Sequence, residues 1–177
     1  EEYYFTWDEK TGKGKKISKL YIAVMERPNN RSTPQVLLST PDYQWERIGF
    51  WVNEGPAVIK HDQMIYVVYS ASETGKAYCM GLLSVHESED ILDPNNWKKS
   101  RNPVLCTDEE KGVLERGHNS FGKSEDGTKD ICVFNAGGYD ELPGNRLNDP
   151  TRHTMMIEVV WDENGRPVFD LGKKYLL

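Results

Sequence analysis

Glu54 stands in the stretch Trp51-Val52-Asn53-Glu54-Gly55-Pro56-Ala57-Val58, a single acid between an aromatic and apolar run (Ile48, Phe50, Trp51, Val52) and a Gly-Pro pair. The strand-like run Met64-Ile65-Tyr66-Val67-Val68-Tyr69 follows directly. Apolar surroundings keep water away, and desolvation penalises a charged carboxylate relative to its protonated form. A carboxyl that keeps its proton near neutral pH can act as a general acid, the chemistry that cleaves glycosidic bonds. The same letters also read as an ordinary turn residue ahead of Gly55-Pro56, and the local sequence alone does not separate the two.

Other reactive types are scattered. His61, His86 and His153 offer no spacing for a transition-metal site. The carboxylate-rich turn Thr107-Asp108-Glu109-Glu110 could take calcium, although a solvated charged loop accounts for it as well. Cys79, Cys106 and Cys132 are odd in number, form no metal-ligand spacing and make no disulfide framework. Cys79 and Cys132 lie in apolar runs and read as small buried thiols. A net charge of −6 argues against a phosphate-binding surface, so no nucleic-acid partner is expected. The Lys-rich stretch from Lys10 to Lys16 reads as a solvated hairpin tip. No long apolar run suggests a membrane span, no signal peptide is legible, and the compartment stays unassigned.

The elements that must position these groups are strands. At 177 residues, 37% of them hydrophobic and 11% aromatic, the chain suits one globular domain over 1–177. Short runs rich in Val, Ile, Tyr and Phe predict strands at Tyr3–Trp7, Leu20–Met25, Gln35–Ser39, Ala57–Lys60, Met64–Ser70, Tyr78–Val85, Ser120–Lys123, Ile131–Asn135, Thr154–Trp161 and Pro167–Asp170. Turns fall at Thr11–Gly14, His61-Asp62, Glu125-Asp126-Gly127 and Glu163-Asn164-Gly165. Helical periodicity is absent; Ser88 to Trp97 reads as a single turn at Asp93-Pro94.

A repeat underlies the pattern. Asn53–Val58, a tip and Ile65–Ala71 make one unit; Gly117–Gly122, the tip at Glu125–Gly127 and Ile131–Ala136 make another, with Glu54 and His118 separated by 64 residues. Tyr3–Trp7 looks like the second strand of an earlier unit, 63 residues before its counterpart at Tyr66. A third strand follows each pair, then a fourth near Gln35–Ser39, Pro103–Cys106 and Pro167–Asp170. Four strands per repeat of this length is the plan of a β-propeller blade, whose innermost strands face a central channel. Glu54 and His118 then head successive innermost strands and point into one shared channel.

Several segments together resemble glycoside hydrolase family 43. They are Asp42-Tyr43-Gln44-Trp45-Glu46, Val52–Val58, Tyr69-Ser70-Ala71-Ser72, Tyr78–Leu83, Leu92-Asp93-Pro94 with Trp97, Gly117–Phe121 and Asp149–Thr154. They are most similar to the α-L-arabinofuranosidase members. The resemblance implies an all-β, five-bladed β-propeller fold, with about three blades in this chain. It implies cleavage of arabinose- or xylose-containing plant polysaccharides with inversion, Glu54 as general acid, and His118 near a bound metal (calcium) or water cluster. It places Arg152 and His153 on the substrate-side rim.

Phe50, Trp51 and Asn53 are expected to contact the sugar, although large aromatics also pack between blades. Family members carry a general-base Asp and a second, modulating Asp on blades before the matched segment. Asp8 follows a second strand and matches neither. Inversion needs a base roughly 6.5–9.5 Å from the acid, so the chain reads as the C-terminal portion of such a fold, inactive alone. A non-catalytic sugar-binding propeller fragment is the other class kept open. Open blade edges predict self-association. Ser124–Thr128 is similar to the Asp-box hairpin of sialidase propellers, but the trailing Trp is missing.

Overall fold

The computed structural model describes residues 2–11, 17–137 and 150–175, with side chains described through residue 169. Most of the Lys10–Lys16 tip, Asp149 and Gly12 to Gly14 of the first turn lie outside the described residues.

Twelve strands and two short 3-10 turns make up the described chain. They run β1 (Tyr3–Thr11), β2 (Ile17–Arg27), β3 (Asn30–Arg31), β4 (Val36–Ser39), β5 (Trp51–His61), β6 (Met64–Ala71), β7 (Cys79–His86), β8 (Lys98–Lys99), β9 (Leu114–Lys123), β10 (Asp130–Gly137), β11 (His153–Trp161) and β12 (Pro167–Tyr175). The 3-10 turns are Gln44–Glu46 and Pro94–Asn96, the second where a single turn was expected. All-β is therefore the fold class. The strands form three antiparallel layers, β1-β2-β4 with β3, β5-β6-β7-β8, and β9-β10-β11-β12. The first two layers join through two parallel pairs, Ile17 with Trp51 and Ser18 with Val52.

Sequence decides which layer is in the middle. In β2, buried Ser18, Leu20, Ile22 alternate with partly exposed Lys19 and Tyr21, the pattern of a strand with one covered face. In β6 every residue from Ile65 to Ala71 is buried, the continuous apolar run of a strand covered on both faces. Tyr66 and Val68 join Met80 and Leu82 of β7 against Cys132, Phe134, Met155, Ile157 and Phe169 of the third layer. Ile65, Val67 and Tyr69 join Leu83 and Val85 against Leu20, Ile22 and Leu38 of the first. Each such aliphatic side chain contributes about 1.5–3 kcal/mol on burial, so the middle layer is held by both neighbours. A staple reinforces the contact with the third layer: the His61 and Trp161 rings stack at 4.0 Å, and the Tyr66 hydroxyl donates to the Gly165 carbonyl at 2.8 Å.

Three expectations need correction. Pairing in β5 begins at Trp51 rather than Ala57, because the strand continues through an irregularity between Glu54 and Ala57 that accommodates Pro56. Pairing in β9 begins at Leu114 rather than Ser120, with register shifts and positive φ at Glu115 and His118 hiding its alternation. Glu54 and His118 therefore lie inside their strands, not at their heads. The expected fourth strand at Pro103–Cys106 is reduced to one bridge, Met80 with Leu105, while the paired segment is Lys98–Lys99. Pro103 has no N–H for a ladder.

Candidate active site

Glu54 is aimed by a β-bulge. Its backbone pairs with Ser70, but pairing resumes only at Ala57 with Val68, so Gly55 and Pro56 both oppose Tyr69. Such bulges bend a strand and redirect a side chain, and they gather beside active sites. Gly55 takes φ +55°, a conformation that costs glycine little and other residues more. Its N–H, turned out of the ladder, donates to Asp8 Oδ1 at 3.1 Å, and the Ser18 hydroxyl donates to Asp8 Oδ2 at 3.0 Å.

Tyr78 supplies the clearest contact to the acid: its hydroxyl donates to Glu54 Oε1 at 2.8 Å. Burial is the largest influence on that phenol and pushes it well above its ordinary range; the Glu54 charge adds to this, while a Ser70 hydrogen bond and the Arg152 charge oppose it. The hydroxyl therefore keeps its proton and serves as a donor across the whole working range. Its ring runs directly over Gly117, where any Cβ would collide with it.

His118 follows at φ +57° and donates its backbone N–H to Ser70 Oγ at 2.6 Å. Its imidazole lies against Gly55: a Cβ built there would sit 3.4 Å from ring atoms Cε1 and Nδ1. Glu54 and His118 are thus neighbours across the second and third layers. Arg152 lies close enough for its charge to act on Tyr78, and its buried Nε has no hydrogen-bond partner among the described residues. His153 opens β11, exposed, with Nδ1 3.0 Å from the Thr151 carbonyl. Trp51 is 47% exposed and carries the Arg47 guanidinium 4.8 Å above its ring; Phe50 beside it is half-buried.

Asn53, a residue expected to contact the sugar, is fully buried, with Nδ2 donating to Glu46 Oε1 at 2.9 Å and Oδ1 accepting from Ser39 at 2.8 Å. Its amide is committed to a framework around the buried Glu46. That carboxylate also accepts from the Asp42 and Tyr43 backbone N–H groups, from the Tyr69 hydroxyl at 2.9 Å and from Lys99 at 2.8 Å. Alternation places residue 53 opposite residue 54, so one strand holds the framework with one side chain and presents the acid with the next.

For a metal, His118 stands without company: no group of three or more His, Cys, Asp or Glu among the described residues converges as a ligand set. Asp108 and Glu109, the acids of the carboxylate-rich turn, face Arg116, Lys111 and Lys76. Among the described residues these two acids are ion-paired rather than gathered as a ligand set.

Sequence reading did not find Tyr78, Ser70 or Asp8 as parts of this site. Tyr78 read as a strand start; only its place one strand-pair from Glu54, in a repeat already visible, hinted at a meeting. Asp8 was set aside because it follows a second strand, and the parallel join of β2 to β5 that brings it across has no sequence signature.

Comparison with known proteins fits this arrangement. The model of glycosyl hydrolases family 43 matches residues 1–167. The chain is 39% identical over 169 residues to alpha-L-arabinofuranosidase 43 of Humicola insolens, and 40% identical over 168 residues to an extracellular exo-alpha-(1->5)-L-arabinofuranosidase of Streptomyces avermitilis. Each match covers 95% of this chain and 35% of the relative, so the chain spans about a third of their length. Among solved structures, an alpha-L-arabinofuranosidase from Lactobacillus brevis superposes with TM-score 0.89 at 41% identity, over 94% of this chain and 51% of that one. A thermostable family-43 glycoside hydrolase gives TM-score 0.78 at 26% identity, over 99% and 56%. With a family model along nearly its whole length and this fold beneath it, the chain belongs to glycosyl hydrolase family 43.

Proposed function

We infer that this chain carries the general acid of an inverting glycosidase that removes arabinofuranosyl units from arabinose-containing plant polysaccharides or oligosaccharides. The observation that carries the reading is the setting of Glu54: a half-buried carboxylate on a bulge, held by the Tyr78 hydroxyl at 2.8 Å, with the His118 ring against the adjacent Gly55 and the Arg152 charge acting on Tyr78. The names of the relatives supply the sugar. In this reading Glu54 protonates the departing glycosidic oxygen as the bond to the anomeric carbon breaks. Arg152 and His153 bind sugar hydroxyls, while Trp51 and Phe50 offer ring faces.

The reading assigns the water-activating base to a residue outside this chain, on a preceding blade of a five-bladed family-length domain. The isolated chain is then inactive. Measuring initial rates on 4-nitrophenyl arabinofuranoside for the chain, the family-length parent and the Glu54→Gln parent tests this. General-acid assistance is worth about 10²–10⁴-fold, and the Gln variant should lose that much. Turnover by the chain alone would place the base within it. An unimpaired Gln variant would remove Glu54 from the mechanism and leave sugar binding as the better account.

The same reading expects self-association of the isolated chain. Tyr3 and Phe5 on edge strand β1 are 65% and 54% exposed, a surface that another layer would cover. Sedimentation velocity at rising concentration should show dimers or larger species; a sharp monomer throughout would refute it.

A further inference from the structure

Asp8 takes no part in the chemistry assigned so far, yet it grips the backbone beside the acid. We propose that Asp8 is a positioning residue for Glu54, acting through the Gly55 N–H; the proposal rests on the reading of Glu54 as general acid.

Three observations converge on it. The bulge leaves the Gly55 N–H outside the β5–β6 ladder, and Asp8 Oδ1 is its acceptor at 3.1 Å. The other carboxylate oxygen is fixed by the hydroxyl of Ser18, itself fully buried at the join where β2 meets β5. On the far side of Gly55 stands the His118 imidazole, at ordinary contact distance from where a Cβ would be. The bulge is thus clamped between an anion from the first layer and a ring from the third. A charge-assisted hydrogen bond to a backbone N–H is about twice as strong as a neutral one. Glu54 is the next residue, so the clamp sets where its carboxylate points. Asp8 itself neither gives nor takes a proton; Glu54 alone delivers one to the leaving oxygen.

The test uses the family-length parent with Asp8→Ala, Asp8→Asn, Ser18→Ala, Glu54→Gln and the double variant Asp8→Ala/Glu54→Gln, assayed on phenyl and 4-nitrophenyl arabinofuranosides. Misplacing a catalytic group by about 1 Å can cost on the order of 10²-fold. Asp8→Ala should lower kcat by about that factor on the phenyl substrate, less on the nitrophenyl one whose leaving group needs less protonation, with KM nearly unchanged. Asp8→Asn retains an acceptor oxygen and should recover part of the rate. Ser18→Ala should show the same leaving-group pattern more weakly, and it serves if Asp8→Ala does not fold. The double variant should be no slower than Glu54→Gln alone.

In the chain itself, hydrogen exchange at the Gly55 amide should quicken about tenfold or more in Asp8→Ala and less in Asp8→Asn. A loss independent of leaving group, additive with Glu54→Gln, or unaccompanied by faster Gly55 exchange overturns the role of Asp8 while leaving Glu54 in place. A fully active Glu54→Gln parent overturns both.

Discussion

Glu46 and Glu54 lie eight residues apart on either side of one strand start, and they are built for opposite purposes. Glu46 has no exposed surface and is saturated: two backbone N–H groups, an amide, a phenol and an ammonium surround it. Glu54 is half-buried and takes one hydrogen bond, from Tyr78, among the described residues. Each acid is met by a tyrosine whose ring passes over a glycine, Tyr69 over Gly81 and Tyr78 over Gly117. On the proposed reading of Glu54 as the acid, burial does not mark the reactive carboxylate. A buried acid with every lone pair occupied is a structural joint, and a reactive one keeps capacity for another molecule.

The sharpest way to separate the two is to remove each. Glu46→Ala takes the shared anion from the buried Asn53 amide and the partly buried Lys99, a loss worth about 3–5 kcal/mol. At roughly 2–4 °C per kcal/mol for a chain of this size, thermal unfolding should fall by about 6–20 °C, while Glu54→Gln should barely move it. Equal melting shifts for both variants would dissolve the contrast.

The glycines refine it. A Cβ at Gly81 or Gly117 collides with the tyrosine ring above it, and overpacking of this kind costs about 1–3 kcal/mol. Both Ala variants should unfold earlier in urea, but only Gly117→Ala should also slow the parent enzyme, because only Tyr78 touches the proposed acid. A Gly81→Ala parent slowed as much as Gly117→Ala, at matched stability, would show the two tyrosines to be interchangeable supports.

The smallest effect comes from the thiols of the middle and third layers. Burial pushes Cys79 and Cys132 from 9.0 up to about 12. A group whose folded value is raised contributes its full stability below the unfolded value and loses it as pH climbs toward the folded one. Stability should therefore hold up to about pH 9 and decline between there and pH 12, by about 1–2 kcal/mol per thiol near pH 10.5. Urea midpoints at pH 8 and pH 10.5 should converge when both cysteines are replaced by Ala. A gap that survives the replacement assigns the decline elsewhere, with the buried Tyr69 and Tyr78 phenols next in line.

Much of this architecture is readable from letters alone. The all-buried run of β6, the alternation in β2 and the turns at Asp62, Gly127 and Gly165 follow local rules that no distant contact overrides. Strand starts are hidden where a breaker sits inside a ladder: Pro56 ends a strand by rule, yet a bulge absorbs it. Apolar flanks single out Glu54 in the sequence, yet the more deeply buried acid is Glu46, whose neighbours in sequence are polar or aromatic. What buries Glu46 is Lys99, 53 residues away, together with Tyr69 and Asn53. The burial of Asn53 is hidden from the sequence for the same reason, since its direction depends on which face of β5 meets that framework. The Tyr78 and Asp8 contacts join residues 24 and 47 positions apart and leave no local trace.

The two-faced middle layer also sets the order in which the chain can finish itself as it is made. The cluster on one face draws its buried residues from Leu20 to Trp97, whereas the cluster on the other starts at Ile59 and is not complete until Phe169. Synthesis at about 5–20 residues per second therefore leaves an interval of several seconds in which β6 and β7 have one side sealed and the other bare. Through that interval Tyr66, Val68, Met80 and Leu82 form an apolar face awaiting strands not yet translated. A ribosome that pauses once Trp97 has emerged holds that face open to the first chaperone, or the first neighbouring chain, that reaches it.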